Sequence, residues 1–434
     1  MPGTPVSRPA TLLRSLPPVY AAAAVRVAFP LLVLPVVAQR LGLAEFGRLG
    51  LCLVWANLLA LVVEGGFLAA ATRHAVVADA ARRLQLARRV FSARCVLCLP
   101  VALAALGVGA WVIPGEALAS ADRWETALLL AVLACVLGWP ATWYLQATSQ
   151  LHRWARVELA VAATALALNL WLAHSVAAFL ALQCLSAGAL AALGWRRTWH
   201  ELRAATDVAE ADGPAGVRGL WARAEVAAGL RLGGPMLPVA VIGSAYSLAL
   251  PAVAAHQLGR VELGTYYLAD RIVRALVAAG DPLVQLVYPR IVARFPHGPR
   301  VALAYALRWC GLGLLAGLAL MAAGWLAWPW AAPLLRAAEP ARLAPVAATL
   351  GLLLPLVLGW RFAAYWMLGS GRYDSAYRAC IVVGGLVGLG GAWWLGDSAT
   401  ALAAIAVAAE TAVMLAAVGG MLWTEARRRR AAAG

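Results

Sequence analysis

Lysine is missing from this sequence altogether: all 36 basic residues are arginine, set against only 20 acidic ones. Charge of either sign is scarce, at 13% of residues, where a soluble domain carries about a quarter. With 63% of residues in the hydrophobic set, a soluble protein is excluded. The seven cysteines are scattered mainly through apolar stretches, which excludes a secreted disulfide scaffold. Cys95 and Cys98 have CxxC spacing but lie in an apolar helix with no second pair, so neither redox chemistry nor zinc is expected. The six histidines are dispersed and no phosphate-cradling glycine loop occurs. No metal, no cofactor and no ATPase is therefore expected.

What fills the chain is a series of solidly apolar stretches, each long enough to cross a hydrocarbon core of about 30 Å as a helix. They run over 17–38, 49–70, 90–113, 126–146, 155–173, 176–195, 232–253, 264–289, 301–327, 345–368, 379–396 and 399–423. The fold class is all-α, a polytopic membrane protein of about twelve transmembrane helices; a β-barrel would alternate apolar and polar residues instead. Arg8 and Arg14 precede an apolar run too long for a signal peptide, so residues 1–38 are expected to hold an uncleaved first helix. Placing the arginines by loop gives 24 on the side of the termini, 6 on the other and 6 inside spans. The positive-inside rule then puts both termini in the cytoplasm. Most of the net charge of +16 is a topology signal, and no nucleic-acid partner is implied. Trp111, Trp124, Trp195, Trp199, Trp328 and Trp330 fall near span ends, as an interfacial belt should.

The chain also repeats itself. Leu41-Gly42-Leu43-Ala44-Glu45-Phe46-Gly47 recurs as Leu258-Gly259-Arg260-Val261-Glu262-Leu263-Gly264, an LGxxExG pattern at an offset of 217 residues, half the length of 434. Both copies fall in the outer loop before the second helix of each half. Six spans per half make the halves parallel repeats, related by a pseudo-two-fold along the membrane normal. The expected organisation is an N-terminal six-helix lobe over 1–195, a charged cytoplasmic linker over 196–231 and a C-terminal six-helix lobe over 232–434. Carriers built this way pass substrate between the lobes by rocking one against the other.

Ionisable groups within spans cost about 2.5–3.5 kcal/mol each on insertion scales, so each needs a reason. On the eighth helix Tyr267, Asp270, Arg274, Asp281, Gln285 and Tyr288 fall within about 60° of one another at 100° per residue. Ile272, Leu276, Leu283 and Val287 occupy the opposite side. Such a stripe lines a water-filled path, or else reflects an Asp270–Arg274 ion pair that fastens helices together. Arg271 flanks it. On the second helix Asn57 and Glu64 share a face, and Glu64 precedes Gly65-Gly66. Glu64 is either an ion-coupling group, like Asp281, or a carboxylate bonded to nearby backbone. Arg26, about nine residues into the first helix, either contacts an anionic substrate or snorkels. Arg94, Arg308 and Arg361 are expected to snorkel, and Glu410 is given no role.

Pro30-Leu31-Leu32-Val33-Leu34-Pro35, then Ala38-Gln39-Arg40-Leu41-Gly42 and Glu45-Phe46-Gly47, resemble the first helix and outer loop of bacterial Wzx-type polysaccharide flippases. The resemblance continues through Gly65-Gly66-Phe67, Ala71-Thr72-Arg73, Pro140-Ala141-Thr142-Trp143-Tyr144-Leu145-Gln146, Gly264-Thr265-Tyr266-Tyr267-Leu268-Ala269-Asp270-Arg271-Ile272 and Tyr288-Pro289. It departs from the family pattern at Gln146-Ala147-Thr148-Ser149, where Gln-Gly-Ile/Leu-Glu is usual. The resemblance implies the two-lobed fold of multidrug exporters and the lipid II flippase. It also implies a substrate, an undecaprenyl-pyrophosphate-linked oligosaccharide moved from the cytoplasmic to the periplasmic leaflet of the inner membrane. A polysaccharide polymerase and chain-length machinery would be partners, alongside the lipid bilayer. The site residues expected on this reading are Arg26, Asn57, Asp270, Arg271, Arg274 and Gln285 for substrate, with Glu64 and Asp281 for ion coupling. Arginine suits a pyrophosphate because its planar fork donates bidentate hydrogen bonds. The alternatives are an exporter of small molecules, which calls for a less cationic cavity, and a membrane-bound polymerase or glycosyltransferase. The last would need a catalytic cluster in a large outer loop, and the outer loops here are short, so no enzyme is expected.

Overall fold

The computed structural model describes residues 9–112, 120–148, 150–206, 222–234, 248–280, 294–332, 339–370 and 373–433, with isolated positions between them; in the first helix, side chains are described from Val33 onward. The first half comprises α1 (Pro9–Glu64), α2 (Phe67–Val77), α3 (Ala80–Gly107), α4 (Ser120–Leu137), α5 (Thr142–Ala147), α6 (Leu151–Leu172) and α7 (Val176–Thr206). Then come α8 (Arg223–Gly233), α9 (Leu250–Ala254), α10 (Arg260–Ala278), α11 (Pro299–Ala331), α12 (Pro340–Gly351), α13 (Leu353–Ser370), α14 (Asp374–Leu395) and α15 (Ala399–Ala433). The described residues contain no strand. Eight helical spans among them are long and apolar enough to cross a membrane, and Ala379–Leu395 is a shorter apolar one. Large side chains left exposed, such as Leu99, Leu103, Trp171, Leu315 and Trp330, are apolar, as a surface bathed in lipid requires. The chain is a multi-pass membrane protein.

The expected outer loop at 39–48 is not a loop. Helix α1 breaks at a single residue, Gly42, whose φ of 75° and ψ of 160° are open to glycine and strained for other residues. Helix resumes at once, so Leu43–Gly47 are helical. In the second half Gly259 directly precedes α10. Both copies of LGxxExG therefore start a helix after the same glycine. The two acids of the repeat do different work: Glu45 pairs with Arg48 at 3.2 Å, whereas Glu262 accepts the backbone N–H of Ala399 and caps α15.

The copies also meet. A Cβ on Gly47 would run into the Arg260 carbonyl and lie 2.9 Å from Gly264 N; a Cβ on Gly264 would run into the Leu43 carbonyl and lie 3.1 Å from Gly47 N. Residues 43 and 260 are themselves equivalent in the repeat. Reciprocal contact of this kind, i on j and j on i, is what a two-fold axis through the interface produces. Around it one core combines both halves, with Val33, Phe46 and Val54 packed among Leu263, Tyr267, Leu350 and Leu402. Elsewhere each half has a core of its own, one around Phe67, Trp143 and Trp195, the other around Val287, Trp366 and Val413. Among the described residues, then, the two lobes share a core at one end and keep separate cores at the other.

Trp195 and Trp199 correct the belt reading. They stack at 5.8 Å and meet Phe91 edge-on, and Trp195 donates its indole N–H to the Trp139 carbonyl at 2.8 Å. Aromatic rings in a T-shaped cluster contribute beyond their buried area, and this cluster fastens α3 to α7. Trp124 and Trp330 are exposed, as a belt requires.

The linker expected over 196–231 is helical at both described ends. Helix α7 runs on to Thr206, and α8 docks on the first lobe, with Gly229 against the Arg89 carbonyl and Gly233 against the Gly65 carbonyl. Glu225 of α8 accepts from Arg89 Nε at 2.7 Å, and that hydrogen bond holds its carboxyl below the ordinary glutamate range. A depressed carboxylate contributes stability above its unfolded pKa and loses it as pH falls through the folded value. Protection of α8 amides, corrected for intrinsic exchange, should thus fall in acid, and Glu225→Gln should lower it about two- to five-fold at neutral pH, since a partly exposed pair contributes about 1 kcal/mol or less. Unchanged exchange in the variant would mean that the two glycine contacts alone hold α8.

Candidate functional site

Helix α10 carries three of the in-span charges, Asp270, Arg271 and Arg274, and lies at the seam between lobes. Its N-terminal half, Leu263 to Asp270, is buried. Tyr267 sits edge-on to Phe46 at 5.7 Å, and its ring occupies the space that a side chain on Gly50 would fill. One turn on, the Asp270 side chain is 6% exposed and lies between two guanidinium groups, Arg274 Nε at 2.7 Å and Arg271 Nε at 3.9 Å. Arg271 also rests 4.8 Å over the Tyr267 ring. The ion pair offered as the alternative to a hydrated stripe is thus present, and it involves two arginines, leaving the trio with one net positive charge. Buried charge is tolerated in this form because each group faces an opposite one.

Two cavities flank this trio. The first, about 210 Å³, is lined by Asn57 and Leu53 of α1, Tyr267 of α10, and Phe179 and Gln183 of α7. It brings together one polar group from each lobe and a third, Gln183, that sequence reasoning missed. A lone amide inside the apolar run of α7 was the signal that could have found it. Asn57 returns one amide hydrogen to the Leu53 carbonyl of its own helix at 2.6 Å.

The second cavity, about 320 Å³, lies inside the second lobe and is lined by Arg274, Trp360, Arg361, Tyr365, Tyr377 and Glu410. Two earlier readings are corrected here. Arg361 does not snorkel; it lines the interior, with Nη1 about 3.8 Å from the place a Cβ on Gly280 would take. Glu410 is not isolated; it faces the same cavity and interacts electrostatically with Arg274. Arg308, by contrast, is exposed on α11.

Arg94 is the third correction. It is 1% exposed, donates to the Pro140 carbonyl at 2.8 Å, pairs with Glu64 at 3.9 Å and lies over the Phe67 ring. It joins the break between α1 and α2 to the break between α4 and α5. Glu64 accepts from the backbone N–H of Gly66 at 2.9 Å and of Leu68 at 2.5 Å, which is the backbone-bonded alternative. Asp281, Gln285 and Tyr288, and the Arg26 side chain, lie outside the described residues.

Residues 19–294 match the model of a family described as polysaccharide biosynthesis protein. The chain belongs to the polysaccharide biosynthesis protein family. No curated protein matches it significantly. Among solved structures, the lipid II flippase MurJ in an inward closed conformation is similar, with a TM-score of 0.68 and 9% identity over 94% of this chain and 87% of that one. An inward-facing multidrug resistance MATE family transporter of the MOP superfamily gives 0.63 and 16% over 93% and 98%. A MOP superfamily transporter from Pyrococcus furiosus gives 0.59 and 15% over 95% of both. These likenesses give the polysaccharide biosynthesis protein the fold of that transporter superfamily.

Proposed function

We propose that this polysaccharide biosynthesis protein is a flippase that carries an undecaprenyl-pyrophosphate-linked oligosaccharide across the bacterial inner membrane for surface polysaccharide assembly. The arginine-rich end, where the lobes have separate cores, faces the cytoplasm with both termini; the Gly47–Gly264 end faces the periplasm. The lobes comprise 1–195 and 232–434, with 196–231 between them. The chain acts as a carrier and not as an enzyme.

The observation that carries this reading is the placing of Asp270, Arg271 and Arg274, net cationic, on the helix at the seam between lobes. A pyrophosphate entering a low-dielectric passage needs paired cations. Arg274, Arg271 and Arg26 would take the pyrophosphate, Asn57 and Gln285 the sugar, and Asp281 the coupling ion. Glu64 is a weaker claimant for coupling because backbone already occupies both its oxygens. The polar groups travel between lobes while the prenyl chain stays in lipid. An exporter of cationic small molecules would find Arg271 and Arg274 repulsive.

In a complemented deletion strain, Arg274→Ala and Arg26→Ala should each cut surface polysaccharide at least tenfold and accumulate lipid-linked glycan in the inner leaflet, with the protein still in the membrane because Asp270 keeps Arg271 as a counter-charge. Lysine at either position should rescue partly, keeping charge but losing the fork. Arg308→Ala should transport normally. Normal surface polysaccharide in both alanine variants would show that these arginines do not hold the substrate.

A further inference from the structure

The second cavity has features that a merely structural ion pair does not need. Four helices converge on it: α10 supplies Arg274, α13 supplies Trp360, Arg361 and Tyr365, α14 supplies Tyr377 and α15 supplies Glu410. Its volume of about 320 Å³ is more than tenfold the ~10–15 Å³ that a single buried water needs. Two arginines face one glutamate across this space, and Asp270 with Arg271 behind Arg274 adds no net charge. The interior therefore carries about one positive charge with Glu410 ionised and two with it protonated. Planar guanidinium groups opposite tyrosine hydroxyls form a donor set for a phosphate-type oxyanion.

We propose that this cavity is an anion subsite in which Arg274 and Arg361 take a phosphate-type group and Glu410 is the carboxylate that the anion displaces. The proposal rests on the flippase reading, and it adds Arg361 and Glu410 to the residues engaged with the charged part of the substrate. Competition follows from the shared lining: Glu410 and the ligand both draw on Arg274, so a proton on Glu410 removes one of its carboxylate partners, Asp270 remaining, and strengthens its hold on the anion. Binding thus takes up a proton, and release of the anion returns it. Among the described residues, the charged and titratable groups that line the cavity with Glu410 are Arg274 on α10, Arg361 and Tyr365 on α13, and Tyr377 on α14. Helix α9 has none, and Arg342 of α12 is engaged with Glu339 and Glu262.

The experiment uses full-length protein in nanodiscs of zwitterionic lipid with inorganic diphosphate as probe, followed by calorimetry and by the shift in Tm between pH 5.5 and 8. Wild type should bind about tenfold more tightly at the acid end. Glu410→Gln should bind as wild type does in acid and keep only the pH dependence that the probe's own protonation imposes, measured in parallel on diphosphate alone. Arg361→Gln should weaken binding at least tenfold throughout; if it fails to accumulate, Arg361→Lys carries the measurement, with a partial loss expected. Diphosphate affinity unchanged in the Arg361 and Glu410 variants overturns the subsite. So does a site saturated by phosphatidylglycerol and indifferent to diphosphate, which would make the cavity a lipid headgroup pocket. The assay contains no glycan, so the two readings fail separately. Diphosphate binding as described, with no lipid-linked glycan moved by reconstituted wild type, would remove the function and keep the subsite; glycan transport with variants that bind diphosphate normally would do the reverse.

Discussion

Alanine at both Gly47 and Gly264 is expected to abolish transport while leaving the protein in the membrane at its normal level. Each added Cβ meets a backbone carbonyl of the other lobe, Arg260 or Leu43, and backbone cannot rotate away as a side chain can. Overpacking of this kind costs about 1–3 kcal/mol per site. That cost falls only on the state in which the lobes meet at this end, since the contact is between lobes. A bias of about 1.4 kcal/mol is tenfold in a two-state equilibrium, so each single variant should lose about tenfold in transport and the pair up to about a hundredfold. Gly311 and Gly385 have nothing within 4 Å of an added Cβ, and alanine there should be silent. The measurements are surface polysaccharide in a complemented deletion strain and thiol labelling of a cysteine at Phe46, which should rise in the double variant. Full transport by the double variant would show that close approach of the two helices is dispensable.

Arg94→Ala should instead remove the protein itself. The guanidinium is buried and serves the Pro140 carbonyl and the Glu64 carboxylate at once, and deleting one member of a buried pair costs about 3–5 kcal/mol because the other is left without a counter-charge. A several-fold fall in membrane level and a lowered Tm in detergent are expected. Arg94→Met combined with Glu64→Gln should recover part of the loss, since the stranded charge is then gone. If Arg94→Ala accumulates normally and loses only transport, the residue belongs to the substrate path.

The fold was legible where periodicity and repetition speak. The apolar stretches, the arginine bias and the LGxxExG repeat led to a two-lobed bundle, and most predicted spans coincide with helices such as α6, α7 and α15. Boundaries were misread where glycine acts locally: nothing in Leu41–Gly47 reveals that one residue, Gly42, can break a helix without a loop. Depth along a helix was a poor guide to the arginines. Arg94, Arg308 and Arg361 lie similarly near span ends, yet one is buried, one exposed and one lines a cavity, because the outcome depends on which neighbouring helix offers a carbonyl or a carboxylate. Glu410 was unreadable for the same reason: its partners stand more than thirty residues away in sequence, and only packing brings them together.

The stretch of α1 after Gly42 touches other parts of the molecule through glycine at both of its ends. Gly47 bears on Gly264 of the opposite lobe, and Gly65, just past the helix terminus, bears on Gly233, where the chain is about to enter that lobe. Eighteen residues of helix at 1.5 Å each separate these points by about 27 Å. In mechanical terms the segment is a rod on two bearings, the first glycine against glycine and the second with the Phe67 ring beside it. Tilting it at one membrane face must slide it at the other, so the two faces cannot be moved independently. A leak through both ends at once would require this rod to bend, and its middle holds only ordinary helical residues.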